Sequence, residues 1–221
     1  MSASTPFRTA AIARNPAWAQ LLGLCPLLAV STSVVNAAAL GLASAFVLMG
    51  SNITIAVIRR GIPDFARLPS FVLVIATFTT CAMLLMQAFA FELYLRIALF
   101  VQIIVTNCMI LGRVEAFASR QPVGRAFLDA AGTACGFALA LLVLGAAREL
   151  IGQGTLMAGM EQLIPGAQSW RLSLSEDAGG LLLASLPPGA FIIAGLVLGA
   201  GNAVLRRSGS AATGSPGENS A

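Results

Sequence analysis

Two cysteines of this chain lie where apolar segments are interrupted, Cys25 in Leu22-Gly-Leu-Cys-Pro-Leu-Leu28 and Cys108 in Val105-Thr-Asn-Cys-Met-Ile-Leu111. Thiolates are the soft ligands of iron-sulfur clusters. Irregular backbone at membrane depth survives only where it is buried in protein or lines a cavity. The pair therefore points to a redox centre inside a bilayer. At Cys25, Pro26 removes a backbone donor and Gly23 allows close approach, so the thiol is expected at the end of a half-helix whose dipole favours a negative group. The alternative is a buried cysteine beside a helix kink. At Cys108, Thr106 and Asn107 are donors that either tune a cluster sulfur or bond a neighbouring helix.

The sequence has four cysteines and no histidine, which excludes His-ligated zinc, haem, Rieske and non-haem iron centres and every His-dependent catalytic triad. Cys81, in Thr-Thr-Cys-Ala-Met, and Cys135, in Thr-Ala-Cys-Gly-Phe, fall in uninterrupted runs and read as packing residues. An iron-sulfur cluster takes four ligands. Two are therefore missing from this chain, and a second protein of similar architecture is the economical source.

The elements that position these thiols belong to a membrane protein. Of 221 residues, 57% are hydrophobic and 10% charged, and the mean hydropathy is +0.87. Six apolar segments, 19–34, 37–58, 68–91, 93–112, 126–147 and 181–205, approach the ~20 residues that span a bilayer. The first looks like a signal-peptide core, but its polar break at Ser31 to Ser33 leads straight into another apolar span. The expected organisation is a cytoplasmic segment 1–15, a six-helix domain 16–205 and a disordered cytoplasmic tail 206–221.

All thirteen basic residues are arginine, without the clustered basic face of a nucleic-acid binder. Ten of them, at positions 8, 14, 59, 60, 67, 113, 120, 125, 206 and 207, fall on one side of a six-span topology. The positive-inside rule then puts both termini in the cytoplasm. Three is odd, so two related three-helix halves, about 16–91 and 92–205, would have opposite orientations. Cys25 and Cys108 would then occupy the interrupted first helix of each inverted repeat, facing one in-plane axis. No carboxylate sits at a span centre: Glu92, Glu115, Asp129 and Glu149 fall near the ends. Asn36, Asn52, Gln87, Gln102 and Asn107 read as groups tying helices together. In the run 113–120, Arg113 or Arg120 is spaced to pair with Glu115. Gly152-Gln-Gly-Thr155 and Leu186-Pro-Pro-Gly-Ala-Phe191 have turn chemistry without nucleotide-loop spacing.

Several of these runs resemble a known family. They are Gln20-Leu-Leu-Gly-Leu-Cys-Pro-Leu-Leu-Ala-Val30, Gly50-Ser-Asn-Ile-Thr54, Val105-Thr-Asn-Cys108, Leu111-Gly-Arg-Val-Glu-Ala-Phe-Ala-Ser119, Arg148-Glu-Leu-Ile-Gly-Gln-Gly-Thr-Leu156 and Pro187-Pro-Gly-Ala-Phe191. Together, from about Asn15 to Asn202, the chain is similar to the E-type membrane components of the bacterial Rnf electron transport complex, to which the D-type component of the sodium-translocating NADH:quinone reductase is related. The resemblance implies an all-α, six-helix inner-membrane protein, not catalytic alone, that pairs with an inverted homologue, the A-type Rnf component, within a translocase that also contains B-, C-, D- and G-type components. It implies a [2Fe-2S] cluster with two of four ligands from this chain, at Cys25 and Cys108, and electron transfer between ferredoxin and NAD coupled to Na⁺ or H⁺ movement. The sequence departs from the pattern at Val114, where Ala is usual, and at Glu92, where a small residue is usual. The competing classes are the quinone-reductase component and an inverted-repeat transporter without redox role.

Overall fold

The structure is a computed structural model that describes residues 22–153, 155–156, 172–173 and 186–210. Its order is α1 (Leu24–Val30), α2 (Val34–Ile58), a 3-10 turn (Asp64–Ala66), α3 (Arg67–Phe89), α4 (Phe91–Gln102), a 3-10 turn (Ile103–Thr106), α5 (Cys108–Arg113), a π turn (Val114–Ala118), α6 (Val123–Gln153) and α7 (Pro187–Ser210). Between α6 and α7, Thr155–Leu156 pairs antiparallel with Leu172–Ser173.

Among the described residues, four helical stretches are long and apolar enough to cross a membrane: Val34–Ile58, Asp64–Phe89, Phe91–Ala118 and Val123–Gly152. Each overlaps one expected segment. The start of the first expected span and residues 1–15 lie outside the described residues. The first five residues of the expected tail, 206–210, belong to α7, which runs to Ser210, and its remainder, 211–221, lies outside the described residues. Pro187 and Pro188 open α7, where a missing N–H has no intrahelical acceptor to lose.

The α2 and α6 helices share the widest contact, and small residues make it possible. A Cβ on Gly145 would lie 3.1 Å from Ala37 Cβ and 3.4 Å from the Ser33 carbonyl oxygen, and one on Gly41 would lie 3.3 Å from Ala138 Cβ. Leu40, Val47, Leu48 and Ile55 of α2 are buried with Phe137, Leu141 and Leu144 of α6. Against the other side of α2, Gly50 leaves room for the Phe78 ring of α3, which meets Phe46 edge-on at 6.2 Å. Most of α3 faces outward, with Leu73 and Leu84 exposed.

Several polar residues inside these helices, though not buried Ser44, are satisfied by their own helix, which revises one expectation. Asn52 Nδ2 donates to the Leu48 carbonyl of its own helix at 2.6 Å, and Thr54, Thr79 and Thr80 each donate to the carbonyl four residues back. With a backbone acceptor one turn away, Asn52 does not reach across to a neighbour. Substituting Gly145 by Leu should force α2 and α6 apart and lower stability by about 1–3 kcal/mol. Gly124→Ala, with nothing within 4 Å of the new methyl, should not. Thermal unfolding of the detergent-solubilised protein checks both.

Candidate functional site

The two cysteine segments are interrupted by different devices. Gly23, at φ 77° and ψ 20°, turns the chain in the left-handed region before α1 begins at Leu24. Pro26 therefore lies in the first turn of α1 and kinks nothing, since an N–H there would have no intrahelical acceptor. Cys25 thus lies in the first turn of a short helix, and the alternative of a buried cysteine beside a kink is not what the structure has. In the stretch Phe91–Ala118, α4 tightens into a 3-10 turn, and Asn107 leaves the helix at φ −66° and ψ 114°. Its Oδ1 accepts the Met109 N–H at 3.0 Å and so caps α5, whose first residue is Cys108.

These two interruptions abut. A Cβ on Gly23 would lie 3.1 Å from the Phe137 ring, 3.2 Å from Asn107 Oδ1 and 3.4 Å from Met109 Cβ. The backbone just before Cys25 is thus packed on the residues flanking Cys108. Both thiols are exposed on the surface of this chain, whereas Pro26, Leu27, Met109 and Ile110 beside them are buried. Asn107 is also buried, and its Nδ2 has no hydrogen-bond partner among the described residues.

The far ends of both short helices are held by α6. Arg148 Nη1 donates to the Leu28 carbonyl at 2.7 Å and to Ser31 Oγ at 3.0 Å, at the C-terminal end of α1. Glu149 Oε2 accepts the Val34 N–H at 2.8 Å, at the start of α2, with Ser33 Oγ at 3.5 Å. A cation thus faces a helix C-terminus and an anion a helix N-terminus, each on the favourable end of the backbone dipole. At the other end of α6, Asp129 Oδ1 accepts Arg113 Nη2 at 2.8 Å and Thr133 Oγ1 accepts Arg113 Nε at 3.1 Å. The expected pairing of Arg113 with Glu115 does not form. The π turn at Val114–Ala118 leaves Glu115 exposed, while Arg113 reaches inward to α6.

Sequence reading missed Arg148, Glu149, Asp129 and Thr133 as parts of this assembly. It placed the two acids near span ends, yet Glu149 is fully buried and Asp129 is 4% exposed. The available signal was an adjacent Arg-Glu pair following an apolar run, because ionisable groups at membrane depth are kept only with partners. Cys81 and Cys135, expected to be packed, are exposed on α3 and α6, because the helix faces that carry them point away from the core. No group of three or more Cys, Asp or Glu side chains able to hold a metal is found among the described residues.

Beside Cys25 an open groove of about 430 Å³ is lined by Leu24, Leu28, Ala29, Thr32, Arg148 and Phe191. Its lining is largely apolar, so it suits a helix or an acyl chain better than a hydrated solute. Alanine at Gly23 would combine left-handed strain with these three close contacts. It should destabilise the protein by about 1–3 kcal/mol, and Asn107→Ala, which loses the cap of α5, by about 1 kcal/mol. Thermal unfolding of purified protein reads both.

A family model described as the Rnf-Nqr subunit, membrane protein, matches residues 4–198. The chain is 51% identical over 191 residues to the E component of the ion-translocating oxidoreductase complex of Pseudomonas paraeruginosa, covering 86% of this chain and 80% of that protein. It is 51% identical over 189 residues to the same-named protein of Haemophilus ducreyi, covering 85% and 83%. With that of Pseudoalteromonas atlantica it shares 48% over 194 residues, covering 87% and 84%. Both cysteine segments and the α6 residues that hold them fall inside the matched region, and the chain belongs to the Rnf-Nqr family of membrane subunits.

Proposed function

We propose that this chain is an integral membrane component of an ion-translocating oxidoreductase complex, not catalytic alone, in which Cys25 and Cys108 supply two of the four ligands of a [2Fe-2S] cluster. An inverted homologue, the A-type component of an Rnf-type complex, completes the site, with the B-, C-, D- and G-type components as further partners. The names of the relatives support the complex. The observation that carries the cluster is the contact of Gly23 with Asn107 and Met109, which adjoins two cysteine-bearing helix starts while each thiol is exposed.

The residues fit such a group. Soft thiolates are its usual ligands, and Asn107 contributes a buried Nδ2–H without a partner among the described residues, next to one of them. When bound, the cluster supplies a one-electron relay at membrane depth. The chain's own contribution is positional. Gly23 and Asn107 set where the two thiols emerge, and buried Leu27, Val30, Met109 and Ile110 anchor their helices in the core. The bilayer and the partner protein exclude water from the exposed face.

The proposed topology is six helices in two inverted repeats, in a bacterial inner membrane with both termini cytoplasmic. It is supported by the arginine distribution and by interruptions in the first and fourth spans. Along α6, Asp129 and Arg148 are nineteen residues apart, ~28 Å of helix, close to the ~30 Å hydrocarbon thickness. The two anchors thus sit near opposite membrane surfaces.

Iron analysis and electron paramagnetic resonance of the protein co-expressed with its inverted homologue test the proposal. The Cys25→Ser, Cys108→Ser double variant should lose the cluster signal. The Cys81→Ala, Cys135→Ala double variant should retain it, with a stability change of about 1 kcal/mol or less at each site. An undiminished signal in the first variant, or a lost one in the second, would show that the ligand set is wrong. An iron-free wild-type pair that moves solute without an electron donor would favour a transporter instead.

A further inference from the structure

We infer that Arg148 is a positioning residue for Cys25 that also sets the electrostatic potential at the thiol, with the adjacent Glu149 opposing it in charge. The inference rests on the cluster proposed above and concerns residues beyond its ligand set. Cys25 lies in a seven-residue helix, which is too short to hold its own place. At one end the segment is wedged by Gly23 against α5 and α6. At the other end, beside the packing of buried Leu27 and Val30, its side-chain hydrogen bonds come from Arg148, to the Leu28 carbonyl and Ser31 Oγ.

Leu28 is one turn beyond Cys25, ~5 Å of axial rise. Arg148 also lines the same groove as the thiol. Arg148 is 3% exposed and lines that groove, so its charge is screened less than that of a fully solvated side chain. Glu149 is fully buried and holds the next helix start through the Val34 N–H. The two side chains therefore share the work of bridging α1 and α2 but carry opposite charge. That opposition separates an electrostatic role from a structural one. Reduction of a cluster adds one electron, and a nearby cation favours the reduced state while an anion disfavours it. Loss of either charge by mere loosening would shift the potential in no charge-dependent direction.

The test is a potentiometric titration of the cluster signal in the intact complex. Arg148→Met should lower the midpoint potential, Arg148→Lys should return it toward wild type, and Glu149→Gln, which keeps an acceptor for the Val34 N–H, should raise it. Opposite shifts in the two charge-neutralising variants, with the lysine rescue, establish the inference. Shifts of one sign in both, or unchanged potentials in assembled complexes, overturn it. If Arg148→Met prevents assembly, Arg148→Lys and Glu149→Gln decide alone: a raised potential in Glu149→Gln with a near-native one in Arg148→Lys supports the inference, and any other pattern rejects it. A complex whose cluster survives Cys25→Ser instead refutes the underlying ligand assignment.

Discussion

The contact on which the rest depends is the grip of Arg148 and Glu149 on the break between α1 and α2. Between α1 and α2 the chain leaves helical geometry at residues 31 to 33, freeing a carbonyl at the end of one helix and an N–H at the start of the next. Unpartnered, such groups cost several kcal/mol each away from water. A guanidinium and a carboxylate on consecutive residues of α6 meet one group of each kind, and the hydrogen bonds to charge contribute roughly 1.5–3 kcal/mol apiece. Burying two opposite charges is tolerable here because each is hydrogen-bonded to a backbone end of matching polarity.

The helix that supplies this grip also holds the second cysteine segment. Near the start of α6, Asp129 and Thr133 fix Arg113, the last residue of α5, and near its end Arg148 fixes Leu28 of α1. Because α6 is a continuous helix of 31 residues, its two anchors keep a fixed separation. The tight approach of α2 to α6 through Gly41 and Gly145 makes that frame rigid. Cys25 and Cys108 thus occupy short helices pinned at both ends, while their thiols point away from the packed interior. That combination of fixed backbone and exposed thiol is what the proposed site, completed by another protein, requires.

Much of the fold was legible in the sequence, because a bilayer imposes long apolar runs that composition reveals. The four long spans and both interruptions were found this way, and Gly23 and Asn107 were visible as breakers before their conformations were. The local chemistry at each break was not. Pro26 looks like a kink until the left-handed Gly23 shows that a helix begins there. Asn52 looks like an interhelical tie until its own Leu48 carbonyl claims it. The partners of Arg148, Glu149 and Arg113 lie at sequence separations of 16 to 120 residues, beyond any spacing rule along one helix. Cys81 and Cys135 look like packing residues in the sequence because an apolar run does not tell which face of a membrane helix meets lipid or a neighbouring protein.

The central claim is that the meeting point of Gly23 with Asn107 is one half of an iron site. An iron anomalous difference map of the intact complex tests it most directly. The predicted result is iron density for a two-iron cluster within bonding distance of the Sγ atoms of Cys25 and Cys108, with the remaining ligands from the partner protein. Iron density remote from both thiols, or thiols facing acyl chains with no metal between them, would contradict it.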